Sequence, residues 1–183
     1  MPNPLSLTPL NYALLGLIRG EARSGYALRR VFETTPMGNY SSSPGSIYPA
    51  LKGLTARGLI ASLPAKSGKN VFTITSAGLE ALEAWLAMPV TGEDMGRNMD
   101  AVMLRFALLQ DHADPQLTFA FLASFEAAAR DGVRTLEAFI AGDFWRSMPL
   151  QSQLAVGYGL ATCKSRADWA ADAHHQLMDA LNT

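Results

Sequence analysis

The chain has 183 residues, 49% of them hydrophobic and 17% charged. This is the composition of one ordinary folded domain or two small ones, and it excludes a disordered tail, a fibrous repeat and a disulfide scaffold. The net charge of −1 is a cancellation: residues 1–75 hold eight basic and two acidic residues, or +6, and residues 76–183 hold seven basic and fourteen acidic, or −7.

A single cysteine, Cys163, cannot close an intrachain disulfide, so a reducing cytoplasm is the expected compartment. The opening Met1-Pro2-Asn3-Pro4 lacks signal-peptide character, and no apolar run is long enough to span a bilayer, so no membrane partner is expected.

Thr8-Pro9 reads as an N-cap and first helical position, followed at helical spacing by Leu10, Leu14, Leu15, Leu17 and Ile18 until Gly20. Ser24 caps a second helix whose apolar side is Tyr26, Ala27, Leu28, Val31 and Phe32, leaving Arg29 and Arg30 to solvent or a partner. Ser43-Pro44 repeats the cap-plus-proline signature and opens a third helix. Its Ile47, Leu51 and Leu54 share one face, opposite a small, basic face of Gly45, Pro49, Lys52 and Ala56 flanked by Ser46, Tyr48 and Gly53.

Two short strands, Leu59–Leu63 and Asn70–Thr73, then flank a basic turn holding Lys66 and Lys69. Thr75 caps a fourth helix with Leu79, Leu82, Trp85 and Leu86 on one stripe. From Met88 to Met99 no periodicity is visible. Beyond it the sequence predicts helices over roughly 100–112, from Asp114-Pro115 through Ile140, and over roughly Leu150–Leu181, with a loop at Gly142–Pro149. The middle one carries Phe121, Phe125, Ala128, Gly132, Leu136 and Phe139 near the repeat of helices that wrap a partner.

The expected fold is mainly α with a small β-hairpin. Residues 1–88 form a winged helix-turn-helix DNA-binding domain, 89–99 a linker, and 100–183 a helical dimerisation and effector domain. In a winged helix the second helix of the helix-turn-helix enters the major groove while the basic hairpin touches flanking backbone, and the +6 front supplies the attraction to phosphate.

The front module also resembles the PadR-type transcriptional regulators. The resemblance lies in Gly25-Tyr26, Gly45-Ser46-Ile47-Tyr48-Pro49-Ala50-Leu51, Leu54, Gly58-Leu59-Ile60, Thr73-Ile74-Thr75 and Gly78. It is strong over roughly residues 5–88 and general afterwards, where the helical tail is similar to the longer-tailed branch of the family. It implies a C-terminal dimerisation domain with a closing helix like the one around Ala167, Trp169, Ala173 and Leu177. It also implies a small-molecule effector, aromatic or cationic. Gly53 stands where many relatives carry a basic or bulky residue.

The expected DNA-binding residues are Tyr26, Arg29, Arg30, Ser43, Ser46, Tyr48, Lys52, Lys66 and Lys69, serving a homodimeric repressor on a pseudo-palindromic duplex operator. Trp85, Trp145 and Trp169 are the candidate effector-binding residues, with core or dimer packing as the competing reading. His174 and His175 point about 100° apart on a helix and make a poor metal site. No phosphate loop, nucleophile elbow or metal-ligand spacing is present, so neither enzyme activity nor a cofactor or metal is expected. The alternatives are a winged helix used only as a protein-interaction module, which would not need the +6 front, and a ligand sensor with little direct DNA binding.

Overall fold

The computed structural model describes residues 7–35, 44–64, 70–111 and 114–182. In chain order these form α1 (Pro9–Arg19), β1 (Arg23–Ser24), α2 (Gly25–Thr34), a 3₁₀ turn (Pro44–Ser46), α3 (Ile47–Ala56), β2 (Ile60–Pro64), β3 (Asn70–Ile74) and α4 (Ser76–Leu86). Then come α5 (Gly92–Arg97), α6 (Met99–Leu108), a 3₁₀ turn (Leu109–Asp111), α7 (Pro115–Ala141), a second such turn (Asp143–Ser147) and α8 (Leu150–Leu181). The chain divides into two compact units, Met1–Ala87 with Met103–Asp111, and Met88–Val102 with His112–Thr183.

The first unit is a winged helix-turn-helix, and its helices begin where side chains satisfy the orphan amides of the first turn. Thr8 Oγ1 accepts from the Asn11 amide while Asn11 Oδ1 accepts from that of Thr8; Ser24 Oγ accepts from Ala27 N–H, and Thr75 Oγ1 from Gly78 N–H. The third helix departs from the sequence expectation. A 3₁₀ turn occupies Pro44–Ser46, α3 proper starts at Ile47, and its N-cap, Ser46, does not cap the first turn through its side chain. Ser43, the expected cap, lies outside the described residues.

α3 ends in a Schellman motif. Gly58 N–H donates to Thr55 O and Leu59 N–H to Leu54 O, and Gly58 takes the left-handed conformation, φ +70°, that favours glycine. The corner so formed is where α4 docks: Thr75 N–H donates to Leu59 O and Thr75 Oγ1 to Gly58 O, leaving no room for a β-carbon on Gly78.

The sheet has three antiparallel strands in the order β1-β3-β2, with Ile60 opposite Ile74 and Arg23 opposite Phe72. The two-residue β1 escapes the sequence reading because it is too short to show an alternation. The core of this unit is built from Leu14 and Ile18 of α1, Leu28 and Phe32 of α2, Ile47, Leu51 and Leu54 of α3, and Leu82 and Leu86 of α4, all buried. Residues 103–111 return to the same unit: Leu108 fills the space left by Gly16, where a β-carbon would stand 2.5 Å from its Cδ2, and Arg19 donates to the Leu108 carbonyl.

In the second unit, residues 92–97, which lack a visible periodicity, form a helix because Thr91 and Asp94 cap it reciprocally. Val90 N–H donates to Ser124 Oγ and Arg166 to the Met95 carbonyl, tying this segment to α7 and α8. α7 and α8 run antiparallel, as the successive pairs Leu136/Gly159, Gly132/Cys163, Phe125/Trp169 and Phe119/His174 mark out.

The coiled-coil-like row of α7 therefore meets α8 of the same chain. Ala167 is buried and Trp169 stands edge-on to Phe125 within this unit. The residues of α8 left exposed include Leu150, Leu154 and Tyr158, at i, i+4 and i+8. No helix among the described residues is long and apolar enough to cross a membrane.

Candidate nucleic-acid interface

The α2–α3 corner is positioned from below by its buried face. Leu28 and Phe32 of α2 and Ile47, Leu51 and Leu54 of α3 all point inward, so by helical periodicity the residues between them point outward. On α2 these are Tyr26, Arg29, Arg30 and Glu33, within an arc of about 100°. On α3 they are Tyr48, Pro49, Lys52, Gly53 and Ala56, all exposed.

The helices meet at Gly25. A β-carbon there would stand 2.8 Å from Cε1 of Tyr48, so the absence of a side chain lets the tyrosine ring lie across the start of α2. Tyr48 stays 51% exposed in this position and Tyr26, the next residue of α2, 59%. Tyr26 is thus a surface residue and does not belong to the apolar side of α2 as its spacing suggests. Lys52 follows Tyr48 by one turn, on the same exposed side of α3.

Arg29 Nε donates to Glu33 Oε1 at 2.6 Å. That hydrogen bond, and then the carboxylate charge, raise the arginine's pKa above its ordinary value, with smaller contributions from Tyr48 and Tyr26. Glu33 is the member of this surface that the sequence reading missed. Its signal was the i,i+4 spacing to Arg29.

Of the expected DNA-binding residues, Tyr26, Arg29, Arg30, Tyr48 and Lys52 are exposed on this corner, while Ser46 is half-buried at the α3 cap. Ser43, Lys66 and Lys69 lie outside the described residues. What the described side chains offer is three cations for phosphate oxygens, two phenol hydroxyls, and an otherwise small helix face.

The three tryptophans each meet another aromatic ring of their own unit. Trp85 stacks on Tyr12 in the first unit, ring centroids 4.2 Å apart and 3° from parallel. In the second unit Trp145 meets Phe139 edge-on at 6.3 Å and Trp169 meets Phe125 at 5.1 Å. Phe139 and Phe125 are separated by about 21 Å of α7, so Trp145 and Trp169 share no pocket. Burial raises the pKa of the Tyr12 phenol, with Arg57 pulling weakly the other way. Among the described residues no three His, Cys, Asp or Glu side chains are grouped to hold a metal ion.

Residues 14–84 match the model of the transcriptional regulator PadR-like family. The chain is 36% identical over 81 residues to the negative transcriptional regulator PadR of Bacillus subtilis, covering 42% of this chain and 44% of the relative. It is 34% identical over 74 residues to the transcriptional regulator YqjI of Escherichia coli, covering 40% and 36%. The matched stretches thus span less than half of either relative. Among solved structures, Bacillus subtilis PadR in complex with operator DNA aligns loosely over 93% of this chain and 98% of its own, with 22% identity and a TM-score of 0.43. The same protein in complex with p-coumaric acid covers 92% and 98% with a TM-score of 0.42. The stretch 14–84, which holds the helix-turn-helix, the sheet and the Gly58, Thr75 and Gly78 corner, is thus the part of the chain that matches the PadR-like family.

Proposed function

We propose that the chain is a DNA-binding transcriptional repressor that acts as a homodimer on a pseudo-palindromic operator. α3 enters the major groove, and the segment joining β2 to β3, with Lys66 and Lys69, touches the flanking backbone. The observation that carries this reading is the α2–α3 corner, where Tyr26, Arg29, Arg30, Tyr48 and Lys52 are exposed together on the module that holds +6 of charge. The 36% identity of this module to a protein named as a negative regulator supports repression.

The homodimer is supported by Leu150, Leu154 and Tyr158, an apolar row of α8 that the intrachain core leaves uncovered. Two copies would present their reading helices to half-sites about one helical turn apart. Release by a small aromatic or cationic effector is supported only by the half-buried aromatic pair of Tyr12 and Trp85, an extendable stacking surface.

The test is fluorescence anisotropy with duplex from the chain's own upstream region at several salt concentrations, with the mass in solution measured alongside. Affinity should fall steeply with salt, and Lys52→Ala should reduce the log–log slope by about one. A chain that dimerises but binds no duplex at low salt would favour a protein-interaction module instead.

A further inference from the structure

Residues 1–75 contain two carboxylates, Glu21 and Glu33. Glu21 pairs with Arg23 at 2.7 Å, while Glu33 sits among the outward residues of α2. A negative charge there opposes phosphate, which calls for an explanation of its presence.

The geometry supplies one. Glu33 Oε1 takes Nε of Arg29 at 2.6 Å, the closest approach between the two side chains, which leaves Nη1 and Nη2 as the far edge of the guanidinium. Those two nitrogens form the edge with which arginine grips a phosphate as a fork. Tyr26 shares the outward arc of α2 with Arg29, and the Tyr48 ring lies across the start of that helix at Gly25, so the fork belongs to the same corner as both phenols.

We propose that Glu33 is a positioning residue for DNA binding: by holding Nε it keeps the Nη edge of Arg29 presented to a phosphate beside Tyr48. The proposal rests on the DNA-binding reading above. Two effects compete. The carboxylate repels the nucleic acid, but it does so as half of an ion pair on an exposed surface, where salt screens it over about 8–10 Å. Against that, an unrestrained arginine loses rotamer freedom on binding, and prior immobilisation of one such side chain is worth roughly two- to tenfold in affinity. The ordering effect is the larger.

Three single variants of the full chain separate the effects, read by anisotropy on a duplex that the unmodified chain binds, with thermal melts to check folding. Glu33→Asp keeps the charge but is one methylene too short to hold Nε in the same place. Glu33→Gln removes the charge but keeps an oxygen acceptor. Arg29→Gln removes the fork. Glu33→Asp should weaken binding by about two- to tenfold, Glu33→Gln should bind at least as well as the unmodified chain, and Glu33→Asp should add no further loss to Arg29→Gln.

Glu33→Asp binding like the unmodified chain would overturn the proposal, as would an equal further loss in the Arg29→Gln background. Should Glu33→Asp not fold, Glu33→Ala takes its place, and a Glu33→Ala variant that binds as tightly as the unmodified chain overturns the proposal. Failure of the unmodified chain to bind any duplex at low salt would instead strike down the functional reading on which it rests.

Discussion

The ring of Tyr48 lies where the side chain of residue 25 would otherwise be, 2.8 Å from an ideal β-carbon on Gly25. The contact is with the outer part of an exposed ring, which can swing away into solvent. Gly25→Ala should therefore cost little stability, within about 1 kcal/mol, while moving Tyr48 off the corner. The expected outcome is a near-unchanged melting temperature with weakened duplex binding, comparable to Tyr48→Ala. A Gly25→Ala chain that binds as tightly as the unmodified one would separate Tyr48 from the interface.

Gly78 and Gly53 should respond in opposite directions. An alanine at 78 would overlap the backbone oxygen of Leu59, which cannot rotate away and which already accepts from Thr75 N–H. Relief requires α4 to shift off the Gly58 corner, at a cost of about 2–4 kcal/mol. Gly53 lies in the interior of α3, exposed, with nothing within 4 Å of its would-be β-carbon. Gly53→Ala should stabilise the fold by about 0.5–1 kcal/mol. Denaturant midpoints of the two variants, falling for the first and rising for the second, check both.

These glycines also mark what could be read from the chain and what could not. Gly58, Thr75 and Gly78 are visible as a pattern, because a left-handed cap, a hydroxyl cap and a close approach each demand a particular residue type. The buried faces of α1, α3 and α4 follow from spacing alone. α5 is invisible to periodicity because its six residues rest on one capping box and bury only Met95. Tyr26 and Trp169 illustrate the other limit. An aromatic at helical spacing fits a core, an interface or a surface equally well, and only the neighbours decide, Gly25 with Tyr48 in one case and Phe125 in the other. Glu33 escapes a sum of charges because what defines it is a partner one turn away, Arg29.

Tyr12 gives a pH prediction. Burial raises its phenol pKa above the ordinary 10.0, with Arg57 opposing in part. The folded state then holds its proton where the unfolded chain has lost it, so the phenol's contribution to stability is complete below pH 10.0 and is lost as pH rises through the folded pKa. Denaturant midpoints should fall above about pH 10 more steeply in the unmodified chain than in Tyr12→Phe. Equal alkaline slopes would show that ionisation of Tyr12 is not coupled to folding.

Gly132 and Cys163 face each other across the α7–α8 seam, where a β-carbon at 132 would stand 2.9 Å from Cys163 Sγ. The sulfur is half-buried, on a short side chain in the middle of a helix packed against another, so it has little room to retreat. Gly132→Ala should gain helix propensity, about 1 kcal/mol, yet lose more, about 1–3 kcal/mol, to overpacking. Cys163→Ala removes the sulfur and restores the space. In the double variant the propensity gained at position 132 should therefore appear without the clash, making the pair more stable than the two single changes sum to. A double-mutant cycle in urea with a coupling of about 1 kcal/mol or more in that direction confirms the contact. A coupling near zero means that the helices have slid apart to admit the methyl group.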